Sequence, residues 1–288
     1  MKSMAVIFEA PERLAVSPVV LPSPGDEDVV VDIDWSGIST GTERLLWSGR
    51  MPPFPGMGYP LIPGYESIGR ITDAGLKVQE RVGEHVFVPG ARCFGEIRGL
   101  FGGAASRVVI PSGRATKIDG SLGEAGVLMA LAATAYHALT QSLPELIVGH
   151  GVLGRLLARL TMALGGEPPV VWETNPGRCG GARGYAVLDP ASDERHDYRV
   201  IHEVSGDSEV LDTLVARIAK GGEIVLAGFY SERLAFTFPP AFMREARFRI
   251  AAEWRPEDMA AVADLVAKGT LSLDGLITHR LDIEHAED

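Results

Sequence analysis

The chain is poor in cysteine, in basic charge and in uninterrupted apolar sequence. Two cysteines, Cys93 and Cys179, stand far apart among 288 residues and neither belongs to a CxxC pair. No disulfide framework and no cysteine-built zinc lobe can be made from them, and two reduced thiols of a cytoplasmic protein are the expectation. Lys and Arg number 27 against 38 Asp and Glu, a net charge of −11. Such a surface repels phosphate backbones, so no nucleic-acid partner is expected. The apolar runs are broken by Arg, Gly or His short of a bilayer span, so no integral membrane segment is expected. The N-terminus, MKSMAVIFEAPERL, lacks the apolar stretch of a secretory signal.

What is present is an ordinary globular composition, 46% hydrophobic and 23% charged, with many turn formers (Gly 34, Pro 19). These values exclude disorder as the main state and leave room for one large or two medium domains.

Up to about residue 120 the chain reads as strands and turns: MAVIFEA, RLAVSPVVL, DVVVDIDWSGI, SIGRITDAG, RVGEHVFVPG and SRVVIPSGRATKI. Short β-rich runs with Gly/Pro punctuation predict a small barrel or sandwich. Residues 49–66, GRMPPFPGMGYPLIPGYE, have no period and are crowded with Pro, Gly and aromatics. They form either a loop packed on its own barrel or a wall for a large apolar ligand.

From residue 121 the texture changes. Helical EAGVLMALAATAYHALTQS, VLGRLLARLTMALGG, DSEVLDTLVARIAKGG and PEDMAAVADLVAKGT alternate with strands LPELIVGHG, PPVVWETNP, RVIHEVSG, EIVLAGFY and ARFRIAAEW. The alternation predicts a doubly wound parallel sheet over 121–250.

At the first strand end stands GxGxxG, with Gly149 for a tight turn, Gly151 for close approach of a pyrophosphate and Gly154 for helix–strand packing. The intervening His150, Val152 and Leu153 present their amides at the helix N-terminus, where an anion is favoured. Roughly 20 residues on, Glu173 ends the next strand, placed to accept the ribose hydroxyls of NAD and to repel the 2′-phosphate of NADP. Arg178, five residues on, reads more readily as a solvated loop arginine than as a partner for that phosphate. Val204, Ser205, Gly228 and Phe229 follow the third and fourth strands, on the ligand-binding edge of such a sheet.

The β-rich N-terminus, the inserted nucleotide sheet and the landmarks Gly37-Ile38-Ser39, Gly64-Tyr65-Glu66, Val82-Gly83-Glu84-His85-Val86 and Gly221-Gly222-Glu223 resemble the medium-chain dehydrogenase/reductase superfamily. The resemblance implies an α/β chain with a GroES-like β-barrel catalytic domain (1–120, completed by 251–288) and a doubly wound Rossmann NAD-binding domain (121–250). It also implies a homodimer through the nucleotide domains, and a chain that continues beyond LDIEHAED through another helix and strand, so that the barrel is expected to be incomplete here. Thr134 falls where the superfamily cradles the nicotinamide half.

Longer segments, 37–67, 87–107, 149–160, 172–176, 238–247 and 273–280, are similar to the hydroxyethyl bacteriochlorophyllide dehydrogenases of bacteriochlorophyll biosynthesis. That resemblance implies oxidation of a hydroxyethyl side chain to acetyl, NAD as acceptor and a magnesium tetrapyrrole as partner. Residues 49–66 and 94–104 then become walls for the macrocycle.

Many members of the superfamily bind catalytic zinc at three positions that correspond here to Ser39, Tyr65 and the neighbourhood of Ala130. Serine, tyrosine and alanine are not a zinc set, so no catalytic metal is expected. Without one, a developing alkoxide needs other stabilisation. Tyr65 is the first candidate, Ser39 and Thr42 extend a hydroxyl relay, and Glu66 and His137 are candidate bases. Each also has a plain structural reading: Tyr65 as filler, Ser39 and Thr42 as caps, His137 as a satisfied core histidine. Two other functions stay open, a zinc-free NADPH-dependent quinone or enone reductase and a catalytically dead tetrapyrrole carrier.

Overall fold

The computed structural model describes residues 1–286. The chain divides into two compact units, one of residues 1–130 with 277 onward, the other of residues 131–276.

Among its described residues the first unit carries nine strands: β1 (Lys2–Ala10), β2 (Arg13–Val20), β3 (Asp28–Ser36), β4 (Leu61–Ile62), β5 (Ser67–Ala74), β6 (His85–Val88), β7 (Arg98–Gly99), β8 (Arg107–Pro111) and β9 (Thr116–Lys117). They form one sheet of order β2-β1-β4-β7 and another of order β8-β3-β5-β6-β9. The runs read as strands in the sequence all lie in them. In the larger sheet, β3 pairs antiparallel with β5 and β8, and register shifts break its pairing with β5 at Val30/Val31 and Ile33/Trp35. Such irregularities bend a strand and upset strict alternation. Three successive valines, Val29, Val30 and Val31, are buried with Ala5, Ile71, Val86 and Val108 in the core.

The helix α1 (Thr42–Trp47) sits between β3 and the irregular 49–66 stretch. Its Leu46 is fully buried in a second cluster with Phe8, Met51, Leu61 and Leu100. Residues 49–66 are therefore packed in part on their own unit, through Met51 and Leu61, while Phe54 keeps 36% exposure.

The second unit holds β10 (Leu146–Val148), β11 (Val170–Trp172), β12 (Ala186–Leu188), β13 (Tyr198–Glu203), β14 (Ile218–Leu226) and β15 (Arg247–Ile250). Their order is β12-β11-β10-β13-β14-β15, with every neighbour parallel. The order runs back from β10 on one side and forward from it on the other, so the switch point lies between β10 and β13. Between and around them lie α2 (Met129–Leu139), α3 (Val152–Ala163), α4 (Leu211–Arg217), α5 (Phe238–Arg244) and α6 (Pro256–Ala267).

Three sequence expectations need correction here. The three-residue strand β12 has too little pattern to be read, so RVIHEVSG and EIVLAGFY are the fourth and fifth strands of the sheet. The helix expected over 207–222 ends at Arg217, because the fully buried Ile218 starts β14 and Gly221 (φ +74°) cannot continue a helix. A helix not expected, α5, opens on prolines in its first turn, where their missing N–H groups cost nothing.

By length and composition Gly120–Leu139 would suffice to cross a membrane. It is no single helix: Gly123 leaves helical geometry at φ 50°, and the α2 alanines 130, 132, 133, 135 and 138 are buried in protein. Small side chains let the backbone of α2 pack closely, which is the part of a core helix.

Candidate functional site

In the second unit the glycine turn has the shape its spacing foretold. Gly149 adopts φ +105°. A Cβ on Gly154 would lie 1.9 Å from the Gly149 carbonyl oxygen, so only glycine lets α3 approach the end of β10 this closely. Gly151, the N-cap of α3, has nothing within 4 Å of where its Cβ would be. Val152 and Leu153 open the helix half-buried. The twelve-residue α3 thus presents unblocked amides and its positive dipole end beside open space.

Glu173 directly follows β11, its carboxylate held by main-chain donors, the His150 N–H (3.1 Å) and the Asn175 N–H (2.8 Å). The His150 side chain is buried and turned away from the turn. Its Nδ1 donates to the Arg178 carbonyl (2.6 Å), which leaves Nε2 to accept from the Tyr185 hydroxyl (2.8 Å). Burial lowers its pKa, in keeping with a neutral ring. Arg155 donates to the carbonyls of His150, Arg178 and Gly180. Together these bonds fasten the loop after Glu173 over the glycine turn. Tyr185 and Arg155 were not singled out in the sequence, since a tyrosine before a three-residue strand carries no signal.

Val204 and Ser205 follow β13, and Ser205 packs against Gly149, where a Cβ would meet its Cα at 3.0 Å. Gly228 follows β14 and donates to the Glu203 carbonyl (3.1 Å), and Phe229 is 53% exposed. These four residues line the edge of the switch point. Glu203, also unmarked by the sequence, is buried there; burial pushes its carboxyl up to about 7 while Ser205 donates to it from both N–H and hydroxyl. Thr134 lies on α2, half-buried. His137, on the same helix, is engaged: its Nδ1 is 2.8 Å from Asp258, which also accepts the Arg255 N–H at the start of α6. That pair fastens α2 to α6.

In the first unit the end of β3, α1 and the 64–66 turn come together. The Tyr65 hydroxyl lies near the side chains of Ser39 and Thr42, which draw its pKa down. Burial, then the nearby charge of Glu66, raise the Tyr65 pKa well above its ordinary value, so the phenol stays protonated. Its ring meets Phe101 edge-on, centroids 5.3 Å apart. Phe101 arrives because residues 49–66 and 94–104 are stitched into one surface: β4 pairs parallel with β7, and the amides of Leu100, Gly102 and Ala104 bond the carbonyls of Ile62 and Pro63.

Behind Tyr65 lie two buried acids, Glu66 and Glu43, each 5% exposed. Glu43 accepts the N–H of Ser39 (2.7 Å), and burial pushes it up to about 7. Glu66 is pushed up to about 8 by burial and by the charge of Glu43. Glu43 is the residue sequence reasoning missed; placed after Thr42 on a short helix, it reads as an ordinary first-turn acid.

The donor chemistry does not suit a catalytic zinc. Ser39 and Tyr65 offer hydroxyls, and no imidazole or thiolate joins the two carboxyls. Among the described residues no group of three or more His, Cys, Asp or Glu could hold a metal ion. The nucleotide turn, by contrast, fits a dinucleotide: an open glycine cradle, a free helix N-terminus and an anchored carboxylate.

Residues 25–120 match the alcohol dehydrogenase GroES-like domain. Among solved structures, a dehydrogenase from Sinorhizobium meliloti bound to NADP superposes with TM-score 0.81 at 23% identity, over 95% of this chain and 91% of that one. An alcohol dehydrogenase from Escherichia coli complexed with NADH gives TM-score 0.80 at 19% identity, over 95% and 90%. The likeness to these structures shows the fold, and the first unit carries the GroES-like domain of alcohol dehydrogenases. At 58% identity over 97% of this chain and 90% of the relative, the sequence matches the 2-desacetyl-2-hydroxyethyl bacteriochlorophyllide A dehydrogenase of Cereibacter sphaeroides, and at 57% that of Rhodobacter capsulatus. The chain belongs to this family of bacteriochlorophyllide dehydrogenases.

Proposed function

We propose that the chain oxidises the secondary alcohol of a hydroxyethyl side chain on a bacteriochlorophyllide, a magnesium tetrapyrrole, to the acetyl group, with NAD as acceptor and without zinc. The first unit acts as the catalytic domain and the second as the nucleotide-binding domain. The substrate rests on the names of the relatives. The observation that carries the cofactor choice is Glu173, anchored by two amides at the end of β11, where a carboxylate accepts ribose hydroxyls and repels a 2′-phosphate.

NAD, when bound, would supply the hydride acceptor for the carbinol C–H. The rest falls to this chain. The amides of residues 151–154 hold the pyrophosphate at the α3 N-terminus, while that of His150, expected to face it, is taken by Glu173. Thr134, Val204, Ser205, Gly228 and Phe229 bound the nicotinamide half. Tyr65, kept neutral, hydrogen-bonds the substrate oxygen as it gives up its proton, and Ser39 and Thr42 hold the phenol in place and extend the relay. Glu66 is the base behind it. His137 is given the part of fastening α2 to α6 through Asp258. Conjugation of the new ketone with the macrocycle lessens what the base must do.

A second reading concerns assembly. β15 ends its sheet with one edge unpaired, and Phe238, Phe242 and Met243 on α5 are at least 65% exposed. Edges and apolar patches of this kind favour pairing with a second copy, in keeping with a homodimer.

The test is turnover. Chelator-treated protein is mixed with hydroxyethyl bacteriochlorophyllide and either NAD⁺ or NADP⁺, and the acetyl product and pigment absorbance are followed. Turnover with NAD⁺ is expected. Activity restored only by zinc, a preference for NADP⁺, or pigment binding without turnover would each overturn one part of the reading.

A further inference from the structure

In the second unit two parallel strands run into a glutamate that accepts the amide two residues on. Glu173, directly after β11, takes the Asn175 N–H (2.8 Å), and Glu203, the last residue of β13, takes the Ser205 N–H (2.6 Å). β10 lies between the two strands. From there the two carboxyls part. Glu173 gives its other oxygen to the His150 N–H in the glycine turn. Glu203 is fully buried, and its side chain and main chain hold different turns. Oε1 accepts from both the N–H and the hydroxyl of Ser205, which fixes the turn after β13. The Glu203 carbonyl accepts the N–H groups of Ala227 (3.0 Å) and Gly228 (3.1 Å), which fixes the turn after β14. Its second carboxyl oxygen and the Tyr230 hydroxyl are buried without a hydrogen-bond partner, and both lie against Gly228. A Cβ there would stand 3.5 Å from the first and 3.3 Å from the second, so residues 228–230 fold closely over Glu203. A carboxyl in so dry a place costs free energy that an aliphatic side chain at the end of β13 would not. What it secures is the course of 204–205 and 227–228, the two segments assigned to the nicotinamide half.

We propose that Glu203 is a positioning residue for the nicotinamide half of the cofactor: it fixes both turns that bound that half and touches neither cofactor nor substrate. This rests on the nicotinamide site proposed above. Glu173 and Glu203 then divide the dinucleotide between them. The first meets a ribose directly, and the second acts only through the main chain of the turns after β13 and β14. Removing the acceptor frees the Ser205 N–H and hydroxyl and lets the turn after β13 drift from the turn after β14. The glycine turn is spared, since Gly149 meets Ser205 backbone to backbone, the Val204 N–H stays on the Val148 carbonyl (2.9 Å), and the His150 N–H stays on Glu173. Affinity is lost for the nicotinamide half and kept for the adenosine and pyrophosphate.

The experiment measures dissociation constants for NADH and for ADP, which has the adenosine and pyrophosphate but neither the second ribose nor the nicotinamide. Wild type, Glu203→Leu and Glu203→Gln are compared. Leucine fills the buried place with apolar atoms and offers no acceptor. Glu203→Leu is expected to weaken NADH binding about tenfold and ADP binding less than about twofold. Glu203→Gln, whose amide oxygen can accept from Ser205 as the carboxyl does, is expected to bring NADH back to within about threefold of wild type. Equal losses for both ligands would mark a merely structural role and overturn the proposal. So would an unchanged NADH affinity in Glu203→Leu, or no rescue by Gln. Should the leucine variant not fold, amide exchange in the unaltered protein decides. The Ser205, Ala227 and Gly228 amides, all given to Glu203, are expected to slow together on adding NADH and not on adding ADP. Unrelated responses at the three amides, or the same response to ADP, overturn the proposal. Wild type that binds NADH no better than ADP overturns the nicotinamide site and this inference with it. Normal wild-type preference for NADH without a selective loss in the variant overturns this inference alone.

Discussion

The glycine turn after β10 and the hydroxyl–carboxyl cluster around Tyr65 are built in opposite ways. The first is a backbone site. Its geometry follows from positions 149, 151 and 154 within one strand–turn–helix, and only Glu173 comes from farther along the chain. The second is a side-chain site. Ser39, Thr42, Glu43, Tyr65 and Glu66 come from a strand end, a short helix and a turn, and the 94–104 segment adds Phe101 through the β4–β7 pairing. A backbone site tolerates change in most side chains but not in its glycines. A side-chain site tolerates backbone adjustment but depends on each polar atom and on dryness.

That contrast is sharpest at Gly154. Gly154→Ala is expected to cost about 3 kcal/mol of stability, at the upper end of overpacking, and to abolish measurable cofactor binding. Thermal unfolding and a nicotinamide titration check this; a folded variant with normal affinity would show that the close approach to Gly149 is not needed. At Tyr65 the expected change is catalytic and not structural. Tyr65→Phe should lower kcat about 100-fold with the melting temperature and cofactor KM little altered. A loss confined to KM would instead make Tyr65 a wall of the site. Glu173→Gln should weaken NAD binding about tenfold and narrow the gap to NADP, read from the two dissociation constants.

A gentler effect distinguishes the buried acids. Glu43, Glu66 and Glu203 have folded pKa values raised to about 7, 8 and 7, above their unfolded values. The folded state binds more protons than the unfolded one across that interval. Their contribution to stability is therefore complete below the ordinary carboxyl range and is lost as pH rises through about 7 to 8. Denaturant midpoints should fall over that window, and Glu66→Gln should flatten the slope. The smallest effect is at His137→Ala, about 1 kcal/mol or less with unchanged kcat, because Asp258 keeps its bond to the Arg255 amide. A large fall in kcat there would return His137 to the chemistry.

Most of the strands and the parallel sheet were legible because period and punctuation are local properties. The short β12 was not, since three residues cannot show a period. The end of α4 was misplaced because burial of Ile218 in the sheet outweighed the helical pattern running through it. In the candidate site, Tyr65, Ser39 and Glu66 were marked by their places in the GIS and GYE segments, and Thr42 by following three residues after Ser39. Glu43 was not, since nothing local distinguishes a buried acid from a solvated one in the first turn of a helix. His137 looked available in sequence, and only the packing of α2 on α6 gave it a partner.

By itself the sequence determined the glycine turn, the acid that follows it, the alternation that winds the second unit and the lack of a zinc-ligand set, because each depends on residue type at short spacing. Tertiary structure decided which acids lost water and which histidine was already spoken for. It also joined the 49–66 and 94–104 segments behind one tyrosine. Desolvation and long-range pairing depend on what the rest of the chain brings near, and no local pattern encodes that.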